Sequence, residues 1–183
     1  MQSGQSERTR VLIQSCQTSL KKASGRLKKG KTVKELTIRE ATPDDAQVIA
    51  EFNCLLAQET ESKHLEMATV LAGVRGLFAN TSRGRYFVAE IEGMVIGQLM
   101  HTQEWSDWRN GDIWWLQSVY VHPDHRGRGV FRQLYQHLTQ LAEQTPGIVG
   151  LRLYVENENH RAQEVYRSLG MTEGGYRVME WIK

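Results

Sequence analysis

A chain of 183 residues with 40% hydrophobic content suits a single domain and has enough apolar surface for its core. Its two cysteines, Cys16 and Cys54, give no disulfide framework, and its six histidines show no metal-ligand spacing. We therefore expect a cytoplasmic protein without a metal cofactor. No apolar run approaches the roughly 20 residues needed to cross a membrane, so we expect no membrane partner.

The net charge of the chain hides an asymmetry between two regions. Residues 1–34 carry nine Lys or Arg against one Glu, whereas residues 35–183 carry fourteen basic against twenty acidic side chains. This shift predicts a basic extension followed by a globular domain. An acid-poor extension is typical of a nucleic-acid or membrane arm, a presequence, a disordered tail, or translation from a start codon placed too far upstream. No aromatic residue interleaves its lysines, which favours the last two over a nucleic-acid partner.

The first elements predicted in the domain are a strand and two helices. Alternating apolar and polar residues at 35–41 predict a half-buried strand. Thr42 follows as a candidate N-cap with Pro43 at the first helical position, and this helix is predicted to end near residue 58. A second amphipathic helix is predicted over about 63–79, broken at its two glycines.

A hairpin and a third strand come next. Residues 85–91 and 94–102 predict two strands joined by Glu92-Gly93, a two-residue turn signal. Residues 113–121 are apolar on both faces, as in a strand that is covered on both sides.

Four tryptophans at positions 105, 108, 114 and 115 lie within eleven residues of the chain. Stacked rings beside Glu104 and Asp107 would hold a cationic amine through cation–π and charge contacts. Alternatively, the amphipathic rings cover one edge of the sheet. The sequence leaves both interpretations open.

The remaining elements alternate between helix and strand. An apolar stripe predicts a helix at 130–144, followed by a strand at 149–155 and a helix at 159–169. A last strand is predicted at about 176–182.

A basic glycine turn, Arg126-Gly127-Arg128-Gly129, joins the strand at 113–121 to the helix at 130–144. Glycines allow the backbone to turn tightly and approach a ligand, and the first N–H groups of a helix have no intrahelical partner. The junction therefore predicts an anion cradle for a phosphate or pyrophosphate. The turn matches neither the G-x-x-x-x-G-K-[ST] pattern of a P-loop nor the G-x-G-x-x-G pattern of a dinucleotide-binding fold.

Two motifs carry a resemblance to a known family. The turn resembles R/Q-x-x-G-x-G/A of the GNAT superfamily of N-acetyltransferases, with Phe131 in place of the usual small last residue. Downstream, Asn159, Ala162, Tyr166 and Gly170 match N-x-x-A-x-x-x-Y-x-x-x-G, which follows the first motif in the same family. The resemblance extends from about residue 36 to the C-terminus.

The resemblance implies an α/β (α+β) fold. We expect a mixed, mostly antiparallel sheet with helices on both faces and a V-shaped splay between two central parallel strands. Acetyl-CoA enters that cleft as co-substrate in the family, and homodimers are common. The cofactor-binding positions that the resemblance implies are Val119, Tyr120, Val121, Arg126, Gly127, Arg128, Gly129, Val130, Phe131, Arg132, Asn159 and Ala162.

Each group of cofactor positions has an expected role. Backbone N–H groups at 127–132 hold the pyrophosphate, and Arg126 and Arg128 add charge. The free edge of residues 116–121 pairs with the amide-rich arm of the cofactor, and an N–H near Val119 or Tyr120 polarises the carbonyl. Phe131 either points into the core, leaving the cradle intact, or crowds the pyrophosphate.

The resemblance assigns Tyr166 as general acid for the departing thiolate, since a tyrosine with a pKa of about 10 is protonated at neutral pH. The resemblance does not determine the general base. Some family members use a carboxylate on the strand before the glycine turn, but residues 113–121 contain neither Asp nor Glu. We name Glu104 as the candidate base; Asp107, Glu59 and Glu61 are the other acids nearby. The candidate positions for the acceptor substrate are Glu59, Glu61, Trp105, Asp107 and Trp108. Glu59 and Glu61 are alternatively a solvated acidic turn.

Two hypotheses for function follow. The first is an N-acetyltransferase that transfers an acetyl group from acetyl-CoA to a primary amine of a small molecule or peptide by direct attack. The alternative is a non-catalytic sensor or interaction module that binds acyl-CoA. A loose likeness to polyamine acetyltransferases weakens at Gln117 and Ser118, where those enzymes carry acids.

Overall fold

The computed structural model describes residues 35–183, so the predicted basic extension lies outside the described residues. These residues form a five-stranded sheet in the order β1-β2-β3-β4-β5. The first four strands pair with antiparallel neighbours, and β5 pairs parallel with β4. The mixed, mostly antiparallel sheet predicted from the sequence is confirmed. The strands are β1 (Leu36–Glu40), β2 (Arg85–Ile91), β3 (Met94–Ser106), β4 (Gly111–Val121) and β5 (Ile148–Leu153).

The helices are α1 (Ala46–Glu61), α2 (Met67–Phe78), α3 (Val130–Gln144) and α4 (His160–Ser168). Helix α2 begins later than the sequence predicted because the Glu66 carboxylate accepts a hydrogen bond from the N–H of Thr69 at 3.0 Å. Both glycines of this segment lie inside α2 and do not break it. Short 3-10 turns occupy Pro43–Asp45, Thr81–Arg83 and Pro123–His125.

Two apolar clusters hold helices on the two faces of the sheet. On one face, α3 contributes Leu134 and Leu138, which pack with Phe87 and Leu99 of the sheet. On the other face, residues of α1 and α2 surround Val88 of β2. The predicted placement of helices on both faces is confirmed, and the two layers hold the central strands between them.

Strands β4 and β5 part before β4 ends. Their pairing stops at Leu116 and Leu153, yet β4 continues to Val121 without a β5 partner. The parting of these two parallel strands agrees with the splay that the family resemblance implies, but β5 is the edge strand of the sheet and not a central one. Beyond Leu116, the edge of β4 that faced β5 has no strand partner, and we refer to this open edge as the gap.

A β-bulge lies in the same part of β4. Gln98 stands opposite Tyr120 and Met100 stands opposite Gln117, so two residues of β4 oppose one residue of β3. Ser118 has a φ of 49° there, in the left-handed region. Such a conformation costs a non-glycine residue about 1–2 kcal/mol, so the surrounding contacts must hold it.

The strand predicted at residues 176–182 is wrong, because the structure has no strand after α4 in the described part of the chain. Tyr176 and Trp181 are each 84% exposed. Alternating side chains predict which residues share a face, but a strand forms only where its N–H and C=O groups find a neighbour. In the structure, residues 176–182 do not pair with the sheet.

Within residues 35–183, no helix is both long and apolar enough to cross a membrane.

A charged cluster fixes the start of α1 to the sheet. Both terminal nitrogens of Arg39 donate to the Asp45 carboxylate, at 2.7 and 2.9 Å, and its Nε donates to Glu90 at 2.9 Å. Asp45 is 6% exposed and also accepts from the N–H of Thr42 at 2.7 Å. The bonds from Arg39 hold the pKa of Asp45 below its usual range.

We expect Asp45→Asn to lower the free energy of unfolding at pH 7 by roughly 1–3 kcal/mol, since it leaves a partly buried Arg39 without its main partner. A lowered carboxyl pKa stabilises the fold above the unfolded-state value of about 3.9, and this contribution disappears as the pH falls through the folded-state pKa. Urea unfolding at several pH values should therefore show the two proteins converging in acid. Asp44→Asn, at the exposed neighbouring position, is the control and should behave like the wild type.

Candidate active site

The gap beside β4 is bounded at one end by the glycine turn and the start of α3. Gly127 and Gly129 have φ values of 73° and 78°, a left-handed backbone that glycine adopts without strain. Gly129 is the N-cap of α3, and no side chain caps that end. Since the N–H of Gln133 is the one that reaches the Gly129 carbonyl, the N–H groups before it have no intrahelical acceptor. These are the groups that the sequence analysis proposed as an anion cradle.

Arg126 fastens the glycine turn to the rest of the domain. Its Nε donates to the carbonyl of Val121 at 2.8 Å, and its Nη2 donates to Glu59 at 2.6 Å. Its guanidinium also lies 5.3 Å from the centre of the Tyr120 ring. The charge of Arg126 is thus already paired. Arg128 and Arg132 are exposed at the same end of α3.

The structure joins Glu59 to Tyr120 of β4 and to Arg126 of the glycine turn. Its Oε1 accepts from the Tyr120 hydroxyl at 3.1 Å, and its Oε2 accepts from Arg126. Burial, with a contribution from Glu59, raises the pKa of Tyr120 to about 12, so this hydroxyl remains a donor at neutral pH. Glu61 instead pairs with Lys63 at 2.5 Å on the exposed surface. The two acids of the predicted acceptor loop therefore have different surroundings.

Tyr166 lies on α4, next to the start of α3. Helix α4 begins as the sequence predicted, because the Asn159 side chain accepts from the N–H of Ala162 at 3.1 Å. The Tyr166 ring meets the ring of Phe131 nearly edge-on, with centroids 5.6 Å apart. Burial raises the pKa of Tyr166 above its ordinary value. A protonated phenol therefore stands beside the first turn of α3.

Phe131 packs against the apolar cluster under α3, which is the first of the two alternatives that the sequence left open. Its ring also contacts that of Tyr135, with centroids 6.1 Å apart. The cradle consists of backbone N–H groups, so a side chain on the core side does not remove them.

The four tryptophans do not form one aromatic box. Trp114 is buried and stacks on His101 at 4.1 Å, where burial lowers the pKa of His101 to about 4. Trp115 stacks on Tyr154 at 4.4 Å. The other two lie on or next to the β3–β4 hairpin turn, with Trp105 64% and Trp108 85% exposed.

Glu104 and Trp105 point to opposite faces of the sheet, as consecutive strand residues do. The Glu104 carboxylate accepts from the Trp115 indole at 2.5 Å and from Arg152 at 2.8 Å, so both of its oxygens have partners. Asp107 lies at the hairpin turn, where it accepts from the N–H of Trp108 at 2.9 Å. The predicted acceptor residues are thus distributed over several places and do not line one pocket.

Sequence reasoning missed two polar residues that lie next to the bulge. The Gln98 side chain is fully buried and donates to Asn53 at 2.7 Å and to the carbonyl of Ser118 at 3.2 Å. The available signal was a single amide within the apolar first half of β3, residues 94–100, because a buried amide needs hydrogen-bond partners.

Among residues 35–183, no group of three or more His, Cys, Asp or Glu side chains is arranged to hold a metal ion.

We expect Glu104→Gln to change the catalytic rate by less than about threefold and to lower the unfolding free energy by roughly 0.5–1 kcal/mol, because Glu104 holds an exposed ion pair. Each oxygen of Glu104 already accepts one hydrogen bond, from Trp115 or from Arg152, which favours a structural role over that of a base. Comparing the pH profile of kcat for Glu104→Gln with that for Arg152→Met separates a role as base from a role in the ion pair. Loss of the acidic limb in Glu104→Gln alone would contradict the expectation and assign the base to Glu104.

Comparison with known proteins supports the motif-based assignment. A model of the acetyltransferase (GNAT) family matches residues 50–171. The thialysine N-epsilon-acetyltransferase of Bos taurus is 32% identical over 76 residues, covering 42% of this chain and 44% of that protein. The L-amino acid N-acyltransferase MnaT of Escherichia coli strain K12 is 31% identical over 104 residues, covering 52% of this chain and 58% of that protein. The chain thus matches about half the length of these curated relatives.

A solved structure matches over nearly its full length. The crystal structure of a possible acetyltransferase from Clostridium difficile 630 has a TM-score of 0.76 and 43% sequence identity, covering 81% of this chain and 97% of that one. The family match spans both motifs, the glycine turn and helix α4. This chain belongs to the acetyltransferase (GNAT) family.

Proposed function

We propose that this protein is an acetyl-CoA-dependent N-acetyltransferase that acts on a primary amine of a small molecule, such as an amino acid, or of a peptide. The observation that carries the proposal is the contact between Phe131 and Tyr166. It holds a protonated phenol on α4 beside the first turn of α3. This supports a proton donor on an element that neighbours the proposed anion cradle.

The residues around the gap fit coenzyme A. Beyond Leu116, the edge of β4 that has no β5 partner offers backbone donors and acceptors to the amide-rich arm of coenzyme A. The first N–H groups of α3 and the positive end of its dipole suit a pyrophosphate, and the exposed Arg128 and Arg132 add charge. Bound there, acetyl-CoA supplies the acetyl group as a thioester.

Two groups of the protein act on the reacting atoms. Tyr166 holds a proton on its hydroxyl and donates it to the leaving sulfur as the amine nitrogen bonds to the carbonyl carbon and the C–S bond breaks. The proton that the amine nitrogen loses passes to water, from which Tyr166 regains its own. The raised pKa of Tyr166 keeps its hydroxyl protonated through neutral and moderately alkaline pH. A backbone N–H at the bulge, from Val119 or Tyr120, donates to the carbonyl oxygen as negative charge develops on it.

The names of two relatives suggest which class of acceptor to test first. One of them is named for thialysine and another for L-amino acids, so amino-acid amines come first among the acceptors to test. The exposed tryptophans of the hairpin and the acids Glu61 and Asp107 are proposed as contacts for larger cationic amines.

We expect Tyr166→Phe to lower kcat at least about tenfold with little change in the KM for acetyl-CoA, because the substitution removes the proton donor and keeps the ring. The measurement is thiol release from acetyl-CoA with a panel of amino acids, polyamines and peptides. Tyr135→Phe is the matched control, since it makes the same change in another tyrosine beside Phe131 and should keep full activity.

The pH dependence gives a second check. With the pKa of Tyr166 raised, the wild type should show no loss of kcat from this group between pH 7 and about 10.

Acceptor-dependent thiol release that survives in Tyr166→Phe would remove the general-acid role. Binding of acetyl-CoA without release for any acceptor would favour the sensor hypothesis.

A further inference from the structure

The bulge in β4 is held by a chain of two side-chain amides, the buried Gln98 and the half-buried Asn53. Gln98 is 0% exposed, and its Nε2 donates both to the carbonyl of Ser118 at 3.2 Å and to the Oδ1 of Asn53 at 2.7 Å. Asn53 in turn donates from its Nδ2 to the Tyr86 hydroxyl at 3.1 Å. The chain thus runs from β2 through α1 and β3 to the bulge of β4.

This contact falls on the strained residue of the bulge. Ser118 has a positive φ of 49°, and the register leaves Ser118 and Val119 together opposite a single residue of β3. A left-handed serine persists only where its surroundings hold it. Gln98 provides such a contact, because its amide bonds to the carbonyl that the unusual φ has displaced from the regular ladder.

The geometry of one peptide unit links that contact to the gap. The carbonyl of Ser118 and the N–H of Val119 belong to the same planar trans peptide and point in opposite directions. Since Gln98 holds the carbonyl on the side of β3 and α1, the N–H is turned away from them. That direction is the side of β4 from which β5 has parted.

We propose that Gln98, held by Asn53, is a positioning residue that aims the backbone N–H of Val119 into the gap between β4 and β5. The inference rests on the proposed function and deepens it, because it selects Val119 over Tyr120 as the donor to the carbonyl oxygen. It also gives a role to the one polar side chain in the apolar first half of β3, residues 94–100.

Gln98→Met tests the proposal with little change in shape. The Oε1 of Gln98 has no hydrogen-bond partner among the described residues, so the substitution removes donated bonds and no accepted ones. We expect kcat to fall at least about tenfold while the KM for acetyl-CoA stays within about twofold, since a donor that acts on developing charge affects kcat. In the unliganded protein, the amide resonance of Val119 should shift.

Two further variants separate positioning from simple loss of stability. Asp45→Asn removes a charged contact at the start of α1, away from Asn53, and should lower Tm without changing kcat or the amide resonance of Val119. Asn53→Ala should act in the same direction as Gln98→Met, and the double variant should be no slower than Gln98→Met alone, as expected for residues that act through one contact. If Gln98→Met does not fold, Asn53→Ala carries the same test.

Each outcome has a separate meaning. An unchanged Val119 resonance in the unliganded variants would overturn the positioning role whatever the activity. A shifted resonance with unchanged kcat would show that the Val119 N–H is not the donor, and would also overturn the proposal. A wild type that releases no thiol with any acceptor would remove the proposed function itself, and the inference with it.

Discussion

The parting of β4 from β5 is the constraint on which the rest of the structure depends. Parallel pairing satisfies the backbone of β4 as far as Leu116, and the strand then continues without a β5 neighbour. Backbone N–H and C=O groups that lose a partner need a replacement from water or a ligand. The bulge, the glycine turn and the start of α3 at Val130 all follow that point closely in the chain. A single interruption of pairing thus brings donors of several kinds to one cleft.

The contact between Glu59 and Arg126 holds the cleft from the side of α1. These residues are 67 positions apart in the chain, and Tyr120 donates to the same carboxylate. A loop that relied on Arg126 to meet a phosphate would have to break this ion pair first. Under the proposed function, the backbone N–H groups, Arg128 and Arg132 would contact the phosphates, while Arg126 holds the loop in place.

The sequence predicted best those elements whose signals are local. Helix α3 has the predicted bounds because its apolar stripe and the preceding glycines are contiguous, and Asn159 caps α4 as its residue type suggested. The strand at 176–182 was wrong because its alternating pattern does not say whether a sheet edge will pair with it. The pairing of Glu59 with Arg126 was missed for a similar reason, since it depends on where two distant elements meet. Consecutive residues of a strand point to opposite faces of the sheet, which separates Glu104 from Trp105 on β3 and Trp114 from Trp115 on β4. Applying this rule to the tryptophan segment would have argued against one aromatic box.

Phe131 shows how a departure from a family motif can be compatible with the same chemistry. A small residue at this position leaves room beside the start of the helix, but the anion-binding groups there belong to the backbone. In this chain the side chain lies on the core side and presents its ring to Tyr166. Edge-to-face ring pairs contribute about 0.5–1.5 kcal/mol beyond the area they bury. The larger residue therefore provides support for the phenol of α4, and the orientation of that phenol is coupled to the first turn of α3.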